Sequence, residues 1–442
     1  MREGSLEAPT RHVIDWTNPD YIDAAKLDAE MRRQFDICHG CRRCFNLCDS
    51  FPRLFDLVDA AGEAEVHGVN SADFKSVVDA CTLCDMCYMT KCPYVPPHEF
   101  NIDFPHLMLR YRFAERARHG TPFWDKQLTE TDRNGRLAAL APGLANWAAA
   151  RGNKLTRPLL EKVAHVHRDA ELPKFHGRTF QAEAKANPPT VNADAPAKNR
   201  KAVIYATCFA NYNNPDIGIA ALKVLAKNGI AAEVVYPGCC GMPQLEQGDI
   251  ARVAEKATRV AAALKPYIDA GHDVIALVPS CGLMMKFEWP LIVPDDANVK
   301  ALAQATYDIC EYVVDIAAKE GLAPGLNAGA SVALHLACHA RAQNMGAKAA
   351  EMLRLIPAAD VAVIERCSGH GGSWGVKTGN FEVATKFARQ TVRKAAEANK
   401  TYLASECPLA GKHLAQGLAA DTPAKTTAPL HPIEIFAKAY GL

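Results

Sequence analysis

From residue 202 onward the chain alternates short β-branched runs with longer stretches whose apolar residues recur at helical spacing. Strands are predicted over 202–208, 232–238, 273–279, 331–338, 360–367 and 401–407, in runs such as AVIYATC and DVIALVP. Between them, 250–271 and 381–399 read as amphipathic helices. This alternation predicts α/β layers. Upstream the pattern is helical or irregular. Residues 104–120 mix apolar and basic positions at helical spacing and stop on Gly120. The most apolar stretch, LAALAPGLANWAAA over 137–150, is broken by Pro142 and Gly143. It is expected to pack on protein rather than lie on a membrane, because interfacial helices carry a strongly charged face. Residues 183–201 are rich in Pro, Asn and Ala and read as a linker, and 1–32 form a polar lead-in.

The α/β half repeats itself. Cys208 precedes Cys338 by 130 positions, Cys240 precedes Cys367 by 127, and Cys281 precedes Cys407 by 126, each near the end of a predicted strand. Two homologous units follow, 201–325 and 326–442, each presenting cysteines from strand C-terminal edges, where open α/β sheets place ligands. Residues 33–100 form a separate cysteine-bearing domain, and 101–200 a helical connector and linker without cysteine.

Composition adds limits. With 442 residues, 49% hydrophobic and 22% charged, the chain is ordinary globular material for two or three domains. Net charge is +1 without a basic block, so no nucleic-acid partner is expected. There is no secretory h-region and no apolar run of about 18 residues, so no membrane span is expected. The expected location is cytoplasmic, with peripheral association at the inner membrane face left open. Sixteen cysteines then point to metal ligation or redox chemistry rather than disulphides.

Eight of them form two runs, Cys38-His-Gly-Cys41-Arg-Arg-Cys44-Phe-Asn-Leu-Cys48 and Cys81-Thr-Leu-Cys84-Asp-Met-Cys87-Tyr-Met-Thr-Lys-Cys92-Pro93. Such triplets bring three thiolates to three corners of a cubane. In two-cluster ferredoxins, which these runs resemble, the remote fourth cysteine serves the other cluster. Carried over, Cys38, Cys41, Cys44 and Cys92 hold one [4Fe–4S] cluster, and Cys81, Cys84, Cys87 and Cys48 hold the second. The third cysteine of each triplet argues against zinc. Asp49 stands where proline is usual, and the second run has one extra residue before Cys92.

The first α/β unit carries Cys208, then Gly238-Cys239-Cys240-Gly241, then Pro279-Ser280-Cys281-Gly282. Four thiolates from three strand ends suit a further Fe–S cluster, and the flanking glycines allow close backbone approach. Cys310 reads as a buried mid-helix hydrophobe. The second unit keeps only Cys338, Cys367 and Cys407, with Arg366 where the first of the adjacent pair is expected. His339 or His370 would complete a site there; alternatively the site binds no metal and recognises a partner, substrate or flavin. Gly369-His370-Gly371-Gly372 would suit close approach to a ligand.

With these motifs the chain resembles the cysteine-rich (CCG) domain proteins related to heterodisulphide reductase, as its B subunit fused to a ferredoxin-like C subunit. The same layout occurs in the iron–sulphur subunits of anaerobic glycerol-3-phosphate dehydrogenase and glycolate oxidase. The likeness covers about 33–100 and 202–415. PPHEFNIDFPHLMLRYRFAERARHG and Arg366-Cys367-Ser368-Gly369-His370-Gly371 are similar to a bacterial subgroup often encoded beside rubrerythrin. It implies a helical dicluster ferredoxin-like domain followed by two α/β CCG units. The implied function is electron relay between a flavoprotein dehydrogenase, or another donor, and a quinone or other carrier. The alternatives are a thiol/disulphide reductase and an electron donor to a rubrerythrin-type peroxidase. Cys281-Gly-Leu-Met284 and Cys407-Pro-Leu-Ala410 lack the last cysteine of heterodisulphide reductase units, so the dehydrogenase type of site fits better. No G-x-G-x-x-G or Walker motif is present, so neither FAD nor ATP is expected on this chain, and no catalytic residue is assigned.

Overall fold

A computed structural model describes residues 9–62, 64–421 and 428–442. All six predicted strands form at the predicted places. The first sheet has the order β2-β1-β3-β4, with β1 (Ala202–Tyr205), β2 (Glu233–Val235), β3 (Asp273–Ala276) and β4 (Thr306–Asp308), all parallel. The second has the order β6-β5-β7, with β5 (Ser331–His335), β6 (Asp360–Ile364) and β7 (Tyr402–Ser405), also parallel. The central strand comes first in each unit. The C-terminal ends of all three cysteine-bearing strands therefore meet at one sheet edge.

The strands β1, β3, β5 and β7 are buried on both faces, and their side chains divide by parity. Val203, Tyr205, Val274 and Ala276 join a core continuous with the N-terminal helices, including Met31, Phe35, Phe51 and Phe104. Ala202, Ile204 and Ile275 face a second core shared with Val332 and Leu334 of the other sheet and with Ile433 and Phe436 of the helix Pro432–Ala439. Ala333 and Leu403 face a third core with Val392 and Leu414.

The cysteine runs sit on helix ends. Ala24–Cys41 ends in left-handed Arg42 (φ 51°), and Cys38 and Cys41 occupy its last turn. Phe74–Ala80 ends at Cys81. The extra residue before Cys92 is taken up by a single π-helical turn, Cys87–Lys91, closed by Cys92 N–H donating to Cys87 O at 2.8 Å. The connector helix Phe104–His119 forms as predicted, capped by Asp103 and ended by Gly120.

Two expectations are corrected. The stretch 183–201 is no free linker: the helix Phe180–Ala186 covers its start, Ala195 and Ala197 are buried, and Asn192 N–H donates to Ala226 O. The apolar stretch 137–150 does not pack its leucines on protein. Proline cannot donate the helical bond and pushes the residue before it out of the α region. Ala141 sits at φ −141°, splitting the stretch between Thr131–Leu140 and Pro142–Ala149, with Leu140, Leu144 and Trp147 exposed. Among the described residues no helix is long and apolar enough to cross a membrane.

One buried charge network ties the N-terminal region to the first sheet unit. Arg11 meets Asp85 at 2.8 Å, Asp103 at 3.0 Å and Glu288 at 3.0 Å, and its guanidinium lies over the Tyr88 ring. His106 adds a contact to Glu288 at 3.1 Å. Burial alone would raise the Glu288 carboxyl, but His106 and Arg11 outweigh it and hold it down to about 2.

Removing one partner of such a network strands the other charges, so Arg11→Ala is expected to cost about 3–5 kcal/mol, read as a lower urea midpoint. Because Glu288 is held below its usual 4.5, its contribution is complete above that value and is lost as pH falls towards about 2. Acid unfolding of Glu288→Gln should therefore show a shallower pH dependence in that window.

Candidate functional site

Fifteen of the sixteen cysteines gather into four groups. In the first, Cys38 has Cys92, Cys44 and Cys41 as its charged neighbours. In the second, Cys87 faces Cys84, Cys81 and Cys48. The two groups adjoin, since Cys44 also lies within reach of Cys87. The remote cysteine of each run thus lies with the triplet of the other run.

In the third group Cys208, at the start of the helix Cys208–Tyr212, hydrogen-bonds Cys239, which contacts Cys240, which contacts Cys281. The fourth group holds Cys338, Cys367 and Cys407, and it borders the second group: the neighbours of Cys338 are Cys84, Cys407 and Cys367. Cys367 is ringed by protein yet open to solvent. Cys310 stands apart. It lies in the first turn of Ile309–Lys319 rather than mid-helix, fully buried in the core with Ile309 and Val313.

Burial pushes up the thiols of Cys38, Cys48, Cys81 and Cys87, those of Cys44 and Cys84 to about 12 and that of Cys92 to about 11. Crowded, desolvated thiols cannot ionise together without a positive centre. Around the third group the contacts with Cys239 and then burial raise Cys208, whereas hydrogen bonds from Cys208 and Cys240, aided by Lys256, lower Cys239. The sets fit an iron–sulphur core on these grounds: convergent, partly or fully buried sulphurs whose ionised form needs the charge that iron supplies. Among the described residues no three His, Cys, Asp or Glu side chains close around the volume of one metal ion. A four-iron cubane spreads its thiolates wider than a single tetrahedral ion does.

Backbone N–H groups from two residues on lie against several of the sulphurs, among them Leu83 at Cys81 (3.5 Å), Gly241 at Cys239 (3.4 Å) and Gly369 at Cys367 (3.2 Å). The last two align the repeats. Tyr205 and His335 hold equivalent places at the ends of β1 and β5, and bond the carbonyls of Gly238 and Arg366 respectively. Gly241 and Gly369 both have positive φ, 88° and 73°. Cys367-Ser368-Gly369 therefore corresponds to Cys239-Cys240-Gly241. The missing thiol is at Ser368, and Arg366 corresponds to Gly238, correcting the expectation for Arg366. The Arg366 side chain is on the surface, donating to Gln390 at 2.9 Å.

The histidines divide. Both His339 nitrogens are engaged, Nδ1 with Ser280 Oγ at 2.8 Å and Nε2 with Leu83 O at 3.2 Å, so neither is free for a ligand. His339 instead struts between the second cysteine run and the Cys281 loop. His370 is nine-tenths buried, and its Nε2 has no partner among the described residues; its ring neighbours His413, with centroids 6.1 Å apart. The glycine loop approaches its own chain rather than a cavity. A Cβ at Gly369 would collide with the Ala384 carbonyl, one at Gly371 would meet Thr82 at 2.6 Å, and one at Gly372 would collide with the Glu246 carboxylate.

Some residues around these sites gave no sequence signal. Asp132 of the connector accepts from Cys239 N–H at 3.1 Å and from the Tyr236 hydroxyl, and lies 3.5 Å from Lys256. Arg112 donates to the carbonyls of Val78, Cys81 and Glu246. A cysteine-free connector offers no spacing to mark them.

Residues 202–286 and 332–414 match the family described as the cysteine-rich domain (CCG), so the chain carries this domain twice. The chain is similar to the C subunit of anaerobic glycerol-3-phosphate dehydrogenase from Escherichia coli, 23% identical over 63% of this chain and 69% of that protein. It is also similar to the B subunit of fumarate reductase (CoM/CoB) from Methanothermobacter marburgensis, 27% identical over 48% of this chain and 41% of that one. Lactate utilization protein A of Bacillus velezensis is 26% identical over 40% of this chain and 75% of that relative. The first two are by name subunits of redox enzymes.

Cys310→Ser places a hydroxyl in an apolar core and is expected to cost about 1–3 kcal/mol while leaving the iron content and visible spectrum of anaerobically purified protein unchanged.

Proposed function

Proceeding from a chain that carries two CCG cysteine-rich domains, we propose that it is an iron–sulphur electron-transfer subunit. In this reading it relays electrons between a flavoprotein dehydrogenase and a quinone or another carrier. The observation that carries the reading is the convergence of Cys38, Cys41, Cys44 and Cys92, and of Cys48, Cys81, Cys84 and Cys87, into two adjoining, partly buried sets. Each set would hold one [4Fe–4S] cluster, and Cys208, Cys239, Cys240 and Cys281 would hold a third Fe–S centre. Bound clusters supply one-electron redox centres whose potentials respond to hydrogen bonds at sulphur and to solvent exposure.

The chain's own residues set those conditions. The N–H groups of Leu83 and Gly241 lie against Cys81 and Cys239 and favour added negative charge there. Burial keeps water from the sulphurs of Cys81, Cys87, Cys239, Cys240 and Cys281. His339 links the second run to the Cys281 loop through Leu83 and Ser280. Substrate oxidation would belong to a flavoprotein partner.

Iron and sulphide analysis of anaerobically purified protein, with EPR, tests this. About twelve irons are expected; about eight would leave the third centre without support, and fewer than about four would overturn the reading. Cys84→Ser should lose one cluster's worth of iron and one reduced EPR signal. Ser368→Cys restores the fourth thiol of the second unit, and a gain of iron there is expected if Cys338, Cys367 and Cys407 are spaced for a cluster. An unchanged count would mean that this unit holds none.

A further inference from the structure

The exposed large apolar side chains are unevenly spread. Of fifteen among the described residues, nine lie within 123–163: Phe123 and Trp124, then Leu137, Leu140, Leu144 and Trp147, then Leu155, Leu159 and Val163. The exposures are large, 83% for Leu140, 77% for Leu155 and 66% for Leu144. Within Thr156–Ala164 and the residue before it, the apolar positions recur every fourth residue and make one stripe. The four helices form one continuous layer: Thr131–Leu140 packs on Pro142–Ala149, which packs on Thr156–Ala164, which packs on Phe123–Thr129. Turn bonds fasten it, with Thr156 Oγ1 donating to Ala148 O and buried Arg157 donating to the carbonyls of His167 and Ala170.

The charges of this layer are sorted. All four of its acids are paired: Asp125 with Lys377, Glu130 with Arg252, Asp132 with Lys256 and Glu161 with Arg168. Lys126, Arg136, Arg151, Lys154 and Lys162 are exposed and form no ion pair among the described residues. The layer thus exposes apolar side chains, tryptophan among them, together with unpaired cations along the same helices and turns.

We propose that residues 123–163 form a docking surface for an anionic phospholipid bilayer. Leucine and tryptophan beside free Lys and Arg is the combination that seats a helix in the headgroup region, the apolar residues entering the acyl boundary and the cations meeting lipid phosphates. A second copy of this chain is a poorer occupant, since its own unpaired cations would meet the same cations across the interface. The surface belongs to the connector, whose inner side reaches the third cysteine group through Asp132, and its occupancy requires no cluster.

Co-sedimentation of the full chain with vesicles tests it, comparing phosphatidylcholine alone with phosphatidylcholine mixed with phosphatidylglycerol. The wild type should bind the mixed vesicles, more weakly as salt rises. The variant Leu140→Ser/Leu144→Ser/Trp147→Ser and the variant Arg151→Glu/Lys154→Glu should each lose at least about tenfold in binding, with circular dichroism unchanged because the replaced side chains are exposed. No binding by the wild type, or undiminished binding by both variants, would overturn the proposal. So would a dimer in solution that the apolar variant converts to monomer while vesicle binding is absent. The readout involves no redox property, so it stands or falls apart from the electron-transfer proposal.

Discussion

A single guanidinium carries an unusual share of this architecture. Arg11 reaches Asp85 between two cysteines of the second run, Asp103 at the cap of the connector helix, and Glu288 in the first CCG unit. Each carboxylate comes from a different stretch of chain, and each would be costly to bury alone. The N-terminal cysteine region therefore docks on the first sheet unit as a matter of charge satisfaction as well as apolar packing. His106 completes the set by neutralising part of the remaining negative charge on Glu288.

The same accounting applies to the sulphurs, with the opposite outcome. Carboxylates find arginine and histidine; the thiols of the first two groups find mainly one another, and burial raises those of Cys38 and Cys87. A protein interior that gathers many desolvated thiols with few cations is arranged for a positive centre brought from outside. The exception is informative. Around Cys239 the protein itself supplies polarity, through Lys256 and the neighbouring thiols, with Asp132 fixing the backbone. Two kinds of thiol environment thus coexist in one chain.

Local features were legible in the sequence, and long-range ones were not. The six main strands show as β-branched runs, whereas β4 is only Thr306–Asp308, three residues with no apolar run to mark them. The extra residue before Cys92 was visible, but its accommodation as a π-turn needed the backbone. The offsets between units located the repeat, yet loops of unequal length hid the register; only the carbonyls of Gly238 and Arg366 and the N–H groups of Gly241 and Gly369 show that Ser368 stands for Cys240. That the second unit's cysteines border the second run, rather than the first unit's set, is tertiary information. The fate of 137–150 turned on Pro142, whose effect on direction was readable while the lack of a covering element was not.

The correspondence of Ser368 with Cys240 bears on how such a molecule diversifies. In the second unit the loop keeps its carbonyl anchor at His335, its left-handed glycine and its N–H to sulphur, although one thiol has gone. Loop shape is thus written in the main chain and inherited separately from ligand count. After an internal duplication, one copy is free to exchange a sulphur for an oxygen by a single-atom substitution without disturbing the scaffold. Twin domains built this way drift apart in chemistry long before they drift apart in form.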